Sequence, residues 1–103
     1  MKGTEKQIKW AEDIKAQTLK NIKSHIAANE AIGMFAEETR LYKIMEKAVE
    51  NLFETIDDAA IIINKRELLD IQSINTNIQR AMRLIRNGRL TVEQFAAANH
   101  VSE

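Results

Sequence analysis

The side chains most often used for metal binding and nucleophilic catalysis are scarce in this sequence. Cysteine is absent, which removes thiolate metal ligands, thiol nucleophiles and disulfides together. The two histidines, His25 and His100, stand far apart, and neither has a glutamate three residues before it, the spacing used by di-iron helical bundles. His25 also falls among apolar residues, a position more typical of a packed histidine than of a ligand. We therefore expect no metal site and no cofactor.

Carboxylates are the remaining groups that could act as acids and bases. Such catalysis needs two carboxyl groups in environments that push their pKa values apart. Glu37 and Glu38 are adjacent, so they point in different directions on a helix, while Glu46, Glu50 and Glu54 recur every four residues, a spacing that predicts an evenly solvated helix face. A glycine-rich phosphate loop is also missing. The sequence predicts a protein that is not an enzyme.

Charge is balanced in total but uneven along the chain. Residues 30–58 hold eight acidic and three basic side chains, whereas residues 59–89 hold six basic and two acidic ones. The zero net charge argues against bulk nucleic acid as a partner. The second segment could still form a basic patch that faces phosphates or an acidic protein. Its members are Lys65, Arg66, Arg80, Arg83, Arg86 and Arg89. Alternatively, they lie against the acidic middle segment of the same chain or of a second copy, or form an outer face.

Helices must position these groups, because the residues that punctuate sheets and long loops are nearly absent. The sequence has no proline and three glycines. Thr4 and Gln7 have the spacing of a capping box, which predicts the start of a first helix. The apolar arc of this helix comprises Ile8, Trp10, Ala11, Ile14, Leu19, Ile22 and Ile26. Asn29 and Gly33 interrupt the pattern, and we expect a joint or kink between them.

In the middle of the chain, the sequence pattern predicts two long helices with a short one between them. Periodic apolar residues indicate a helix over about 35–56 and another over 71–85. Asp57 and Asp58 are good caps for a short helix through the three isoleucines at 61–63. Those isoleucines could also form a buried strand. We favour the helix, because no second strand is predicted to pair with it.

Turn and cap signals define the C-terminal region. Asn-Gly at 87–88 predicts a helix stop, and Thr91 with Gln94 has the spacing of a second capping box that opens a short helix through 95–98. The chain is thus expected to be all-α and to form one domain, residues 1–103. Its fold is predicted as a compact bundle of four to five helices, two or three of them long and amphipathic and the last one short.

Two further features bear on recognition. Trp10, the single tryptophan, is expected to anchor the core; exposed at the edge of its arc, it would instead suit the centre of an interface. Residues 90–102 resemble the first helix and turn of a helix-turn-helix, but no second helix follows, and that helix reads the bases. We therefore favour an ordinary capped terminal helix.

The opening residues 3–14, Gly-Thr-Glu-Lys-Gln-Ile-Lys-Trp-Ala-Glu-Asp-Ile, resemble the start of small uncharacterised bacterial, phage and mobile-element proteins. Residues 58–64, Asp-Ala-Ala-Ile-Ile-Ile-Asn, stand where such proteins carry Asp-Ala-Lys, an aromatic pair and an acid, so isoleucines replace the aromatics here. The resemblance implies a genomic setting and no catalytic residue. Small phage proteins of this kind, including anti-CRISPR and related anti-defence inhibitors, often act by covering a surface on a host protein.

Apolar patterning also bears on the cellular location. No apolar run approaches the ~20 residues needed to cross a bilayer, and the amino terminus has no signal-peptide-like apolar stretch. We expect a cytoplasmic protein without a membrane partner.

Three functions stay open at this point. The first, which we favour, is a non-enzymatic binder of a host protein, most concretely a phage or mobile-element inhibitor of a host defence nuclease. The second is a DNA-associated regulatory or accessory protein that uses the arginines of the basic patch. The third is a structural homodimer that shares the apolar seam of residues 71–85. The candidate partner-binding residues are the six of the basic patch together with Glu46, Glu50 and Glu54.

Overall fold

Five α-helices account for the regular structure of residues 1–102, the part of the chain that this computed structural model describes. In chain order they are α1 Glu5–Ile32, α2 Ala36–Thr55, α3 Ala59–Asn64, α4 Ile71–Arg86 and α5 Val92–Ala98. The predicted all-α bundle is confirmed, with three long helices and a short last one. The three isoleucines at 61–63, for which a helix is favoured over a strand, lie in helix α3.

Helix α1 begins and ends at the residues that its sequence signals indicate. The Thr4 hydroxyl accepts a hydrogen bond from the Gln7 amide at 3.1 Å, and the Gln7 side chain accepts one from the Thr4 amide at 3.0 Å. The expected joint is the end of the helix, where Gly33 adopts a left-handed conformation with φ of 73°. The 28 residues between these caps form a helix about 42 Å long, close to the 45 Å long dimension of the molecule.

The core forms around α2, which follows a short connection and packs antiparallel to α1. Helix α3 packs against α1, while α4 and α5 pack against α2. Each helix presents one apolar stripe to this centre, as its periodicity predicts. The largest fully buried side chains are Ile22, Leu41, Tyr42, Ile62, Ile74 and Ile78.

Backbone and side-chain hydrogen bonds hold the segments on both sides of α3 in place. The backbone of Lys2 donates to the Asp57 carbonyl at 2.9 Å and accepts from the Ala59 amide at 2.8 Å, which holds the N-terminal segment beside the start of α3. After α3, the buried Thr18 hydroxyl donates to the Leu69 carbonyl at 3.0 Å. This bond ties the α3–α4 connection to the middle of α1.

Helix α4 buries its apolar stripe within its own chain. Ile74, Ile78 and Met82 are buried, and Ile71 and Ile85 pack partly buried against the same core. The apolar residues that the homodimer alternative would share between two chains therefore pack within one chain in this structure. Within residues 1–102, no helix combines the length and apolar character needed to cross a membrane.

Candidate interaction site

Trp10 lies at the surface with 47% of its area exposed, so the prediction of a core anchor is wrong. The neighbouring Ala11 is fully buried and belongs to the hydrophobic core. Adjacent helical residues differ by roughly 100° around the axis, so the indole falls at the edge of the apolar arc. Trp10 therefore occupies the alternative position given above, that of an exposed aromatic residue at the edge of the apolar arc.

Arg66 is fixed against the indole of Trp10. Its guanidinium carbon lies 5.3 Å from the centre of the Trp10 ring, and its Nη1 donates to the Ile63 carbonyl at 2.8 Å. A cation over an aromatic face contributes about 0.5–1 kcal/mol at an exposed site. The stack and the hydrogen bond hold both side chains in one arrangement, which we name the Trp10–Arg66 pair.

A cleft of about 390 Å³ adjoins this pair, between α1 and the α3–α4 connection. Arg66 stands on its wall, and α1 contributes the apolar Ile14 and the amides of Gln17 and Asn21, which bond each other at 3.1 Å. The α3–α4 connection also contributes the carboxylate of Glu67 to the lining. The cleft thus combines apolar, amide and charged groups, which suits a side chain or short segment of another protein.

The basic residues predicted as one patch belong to two segments of the chain. Lys65 and Arg66 belong to the α3–α4 connection. Arg80 lies within α4, nine residues and about 14 Å along the helix axis from its first residue, Ile71. The second group comprises Arg80, Arg83, Arg86 and Arg89, all of them exposed. None of these four forms an ion pair with another residue of the range 1–102. Arg83 and Arg86 lie in the last turn of α4, where the helix dipole favours cations.

The three glutamates of α2 differ in exposure. Glu54 is exposed, but Glu46 and Glu50 are half-buried, which departs from the evenly solvated face predicted from their spacing. Glu46 lies on the wall of a groove of about 490 Å³ between α1 and α2, together with Lys23 and Lys47.

His25 has a packing role. Its ring stacks on that of Tyr42, with centroids 4.9 Å apart and an angle of 11° between the planes. The Tyr42 hydroxyl donates to the Asn75 side-chain oxygen at 2.7 Å, so the contact joins α1, α2 and α4. Burial, with a smaller contribution from the negative charge of Glu38, raises the pKa of Tyr42 to about 12. Among residues 1–102, no three acidic or histidine side chains are grouped so that they could hold a metal ion.

The sequence analysis predicts the joint between α1 and α2 but does not identify the exposed apolar residues around it. Ile32 is the last residue of α1, and Met34 and Phe35 follow in the connection; these side chains have 61%, 60% and 52% of their areas exposed. We name these three residues the apolar tip. The signal that could have found it is a pair of large apolar residues directly after the helix-ending Gly33, outside the apolar face of either helix.

No protein-family model, curated protein or solved structure matches this chain.

Proposed function

We propose that this chain is a non-enzymatic protein-binding module, and most concretely a phage or mobile-element protein that inhibits a host defence nuclease by covering part of its surface. The observation that supports the binding role is the Trp10–Arg66 pair. The finer part of the proposal, the class of partner, rests on the resemblance of residues 3–14 to phage and mobile-element proteins.

The chemistry of the pair suits the centre of a protein interface. Tryptophan and arginine are two of the three residue types most enriched among side chains that dominate binding energy. The exposed half of the indole corresponds to roughly 100 Å² of apolar surface, worth about 2.5 kcal/mol if a partner covers it fully. That energy corresponds to about a 70-fold change in Kd. Because Arg66 already holds the ring, little side-chain freedom is lost on binding.

The test combines capture of a nuclease with an activity assay. We expect a tagged form of the chain to copurify a host nuclease and to lower its activity in proportion to the amount added. Trp10→Ala should weaken this binding by about 70-fold if the indole is fully covered. Leu68→Ala is the matched control, because Leu68 is 71% exposed and belongs to neither the pair nor its cleft. Normal nuclease activity with the chain in large excess would contradict inhibition, and unchanged affinity of Trp10→Ala would contradict the role of the pair.

A second candidate function, a DNA-associated accessory role, is favoured by one observation. Arg80, Arg83, Arg86 and Arg89 are exposed, and none of them pairs with an acidic side chain in residues 1–102. Binding through phosphates must weaken steeply as salt is added. A gel shift with duplex DNA at low and moderate salt decides this, with the triple alanine variant of Arg80, Arg83 and Arg86 as comparison. Binding that is equal in the variant and insensitive to salt would argue against this function.

A further inference from the structure

The apolar tip places three large apolar side chains in solvent at the end of the molecule where α1 turns into α2. Ile32, Met34 and Phe35 each have more than half of their area exposed, within four consecutive positions. Single exposed apolar residues are common and need no explanation, but contiguous ones mark contact surfaces.

The backbone of the tip is held in one conformation. Phe35 has φ of 61°, a left-handed value that side chains with a Cβ rarely adopt. Its carbonyl accepts hydrogen bonds from both the amide and the hydroxyl of Thr39, each at 2.9 Å. On the other side of the turn, the Gly33 amide donates to the Asn29 carbonyl at 3.0 Å. The aromatic ring is therefore presented by a fixed turn.

The phenylalanine at position 35 contributes neither a helix cap nor core packing to the fold. The residue is the N-cap of α2, yet it supplies no side-chain cap, and glycine or asparagine would adopt its left-handed backbone at less cost. Its ring is half-exposed and is not part of the hydrophobic core. Strained and exposed aromatic residues of this kind are a reason to look for a contact with another molecule.

Charge around the tip indicates the kind of molecule. Glu30, Glu37 and Glu38 flank it, and the sequence has no Lys or Arg between Lys23 and Arg40. Lys43 pairs with Glu30 at 3.9 Å across the two helices, which leaves the two glutamates of the first turn of α2 as the acidic rim. Tip-to-tip contact between two copies would bring these like charges together, and an anionic membrane would repel them.

We propose that the apolar tip inserts into an apolar pocket of a partner protein whose rim carries Lys or Arg side chains opposite Glu37 and Glu38. The proposal deepens the proposed function, on which it rests for the idea that the partner is a protein. It uses a different surface, because Trp10 and Ile32 lie about 33 Å apart along α1.

The experiment crosslinks the tip and then measures affinity. The photoreactive residue benzoylphenylalanine replaces Met34 in the full chain, which is expressed in its source cells and irradiated. The adduct is identified by mass spectrometry, and the partner protein is purified. We expect its affinity to fall about 30-fold with Phe35→Asn, which keeps the left-handed turn, and about tenfold with Glu37→Lys, together with a weaker salt dependence. Leu68→Asn, at another exposed apolar position, is expected to change nothing.

Several results would overturn the proposal. An adduct with a second copy of the chain, an adduct with lipid, or no adduct would each do so, as would a partner that binds Phe35→Asn and wild type equally. Trp10→Ala separates the two proposals. A partner that loses affinity with Trp10→Ala but not with Phe35→Asn supports the proposed function and refutes insertion of the tip. A partner that loses affinity with Trp10 intact and Phe35→Asn present, but not with Trp10→Ala, supports insertion of the tip and refutes the proposed role of the Trp10–Arg66 pair.

Discussion

The left-handed backbone at Phe35 predicts a reversal of the usual ranking of alanine and glycine. A residue with a Cβ costs about 1–2 kcal/mol in this conformation, whereas glycine adopts it freely. Glycine loses about 0.5–1 kcal/mol more conformational freedom on folding than alanine. Phe35→Gly should therefore be more stable than Phe35→Ala by roughly 0.5–1 kcal/mol. Both variants remove the same ring, so the comparison isolates the backbone.

The matched control is Ala27→Gly, at an exposed position in the interior of α1. At that position the glycine variant should be less stable than the wild type by about 1 kcal/mol, the ordinary difference in helix propensity between alanine and glycine. Urea unfolding of the pure proteins measures both differences; with a slope near 1.5 kcal/mol/M, the two variants at position 35 should differ by about 0.5 M in midpoint. An alanine at position 35 that equals or exceeds glycine in stability would show that the turn relaxes, and the account of a fixed tip would fail.

Three further outcomes are expected from the buried contacts. Thr18→Val removes the bond to the Leu69 carbonyl and should cost about 1–2 kcal/mol of unfolding free energy in urea, whereas Thr76→Val, at an exposed helix position, should cost under about 0.5 kcal/mol. Ile78→Ala removes a fully buried side chain and should cost about 2–5 kcal/mol by the same measurement. The pKa of Tyr42 is raised from 10.0 to about 12, so its contribution to stability is complete below pH 10 and lost as the pH rises toward 12. Alkaline unfolding curves of Tyr42→Phe should show a smaller loss over that interval.

The fold could be predicted from the sequence because its signals are local. The Thr4 and Thr91 capping boxes, the left-handed stop at Gly33 and the Asp58 cap each depend on residues within a few positions of one another. Helical periodicity then identifies the face that each long helix buries. Local signals are ambiguous only for the short helix α3, because three β-branched residues also suit a strand.

The candidate sites depend on tertiary neighbours, which periodicity does not specify. Periodicity predicts a core position for Trp10, because it lies within the apolar half of α1, but the buried part of that arc is narrower than the apolar part. Ala11 fills the core position, and Arg66, distant in sequence, covers the indole. Composition groups six basic residues, although Lys65 and Arg66 belong to the α3–α4 connection and Arg80 lies nine residues, about 14 Å, into α4.

The two proposed contact surfaces lie at opposite ends of one uninterrupted helix, so α1 sets the distance between them at about 33 Å. An interface of standard size buries about 800 Å² on each partner, which corresponds to a disc roughly 32 Å across. One partner of ordinary size can thus only just touch the Trp10–Arg66 pair and the apolar tip together. If a single partner does so, Trp10→Ala and Phe35→Asn should weaken the same complex, and their free-energy effects should add because the sites are far apart. If two partners bind, each variant should weaken only one complex, and a ternary complex should form with the wild-type chain. Strongly non-additive effects on one complex would contradict both arrangements, since they would require the two surfaces to be coupled along α1.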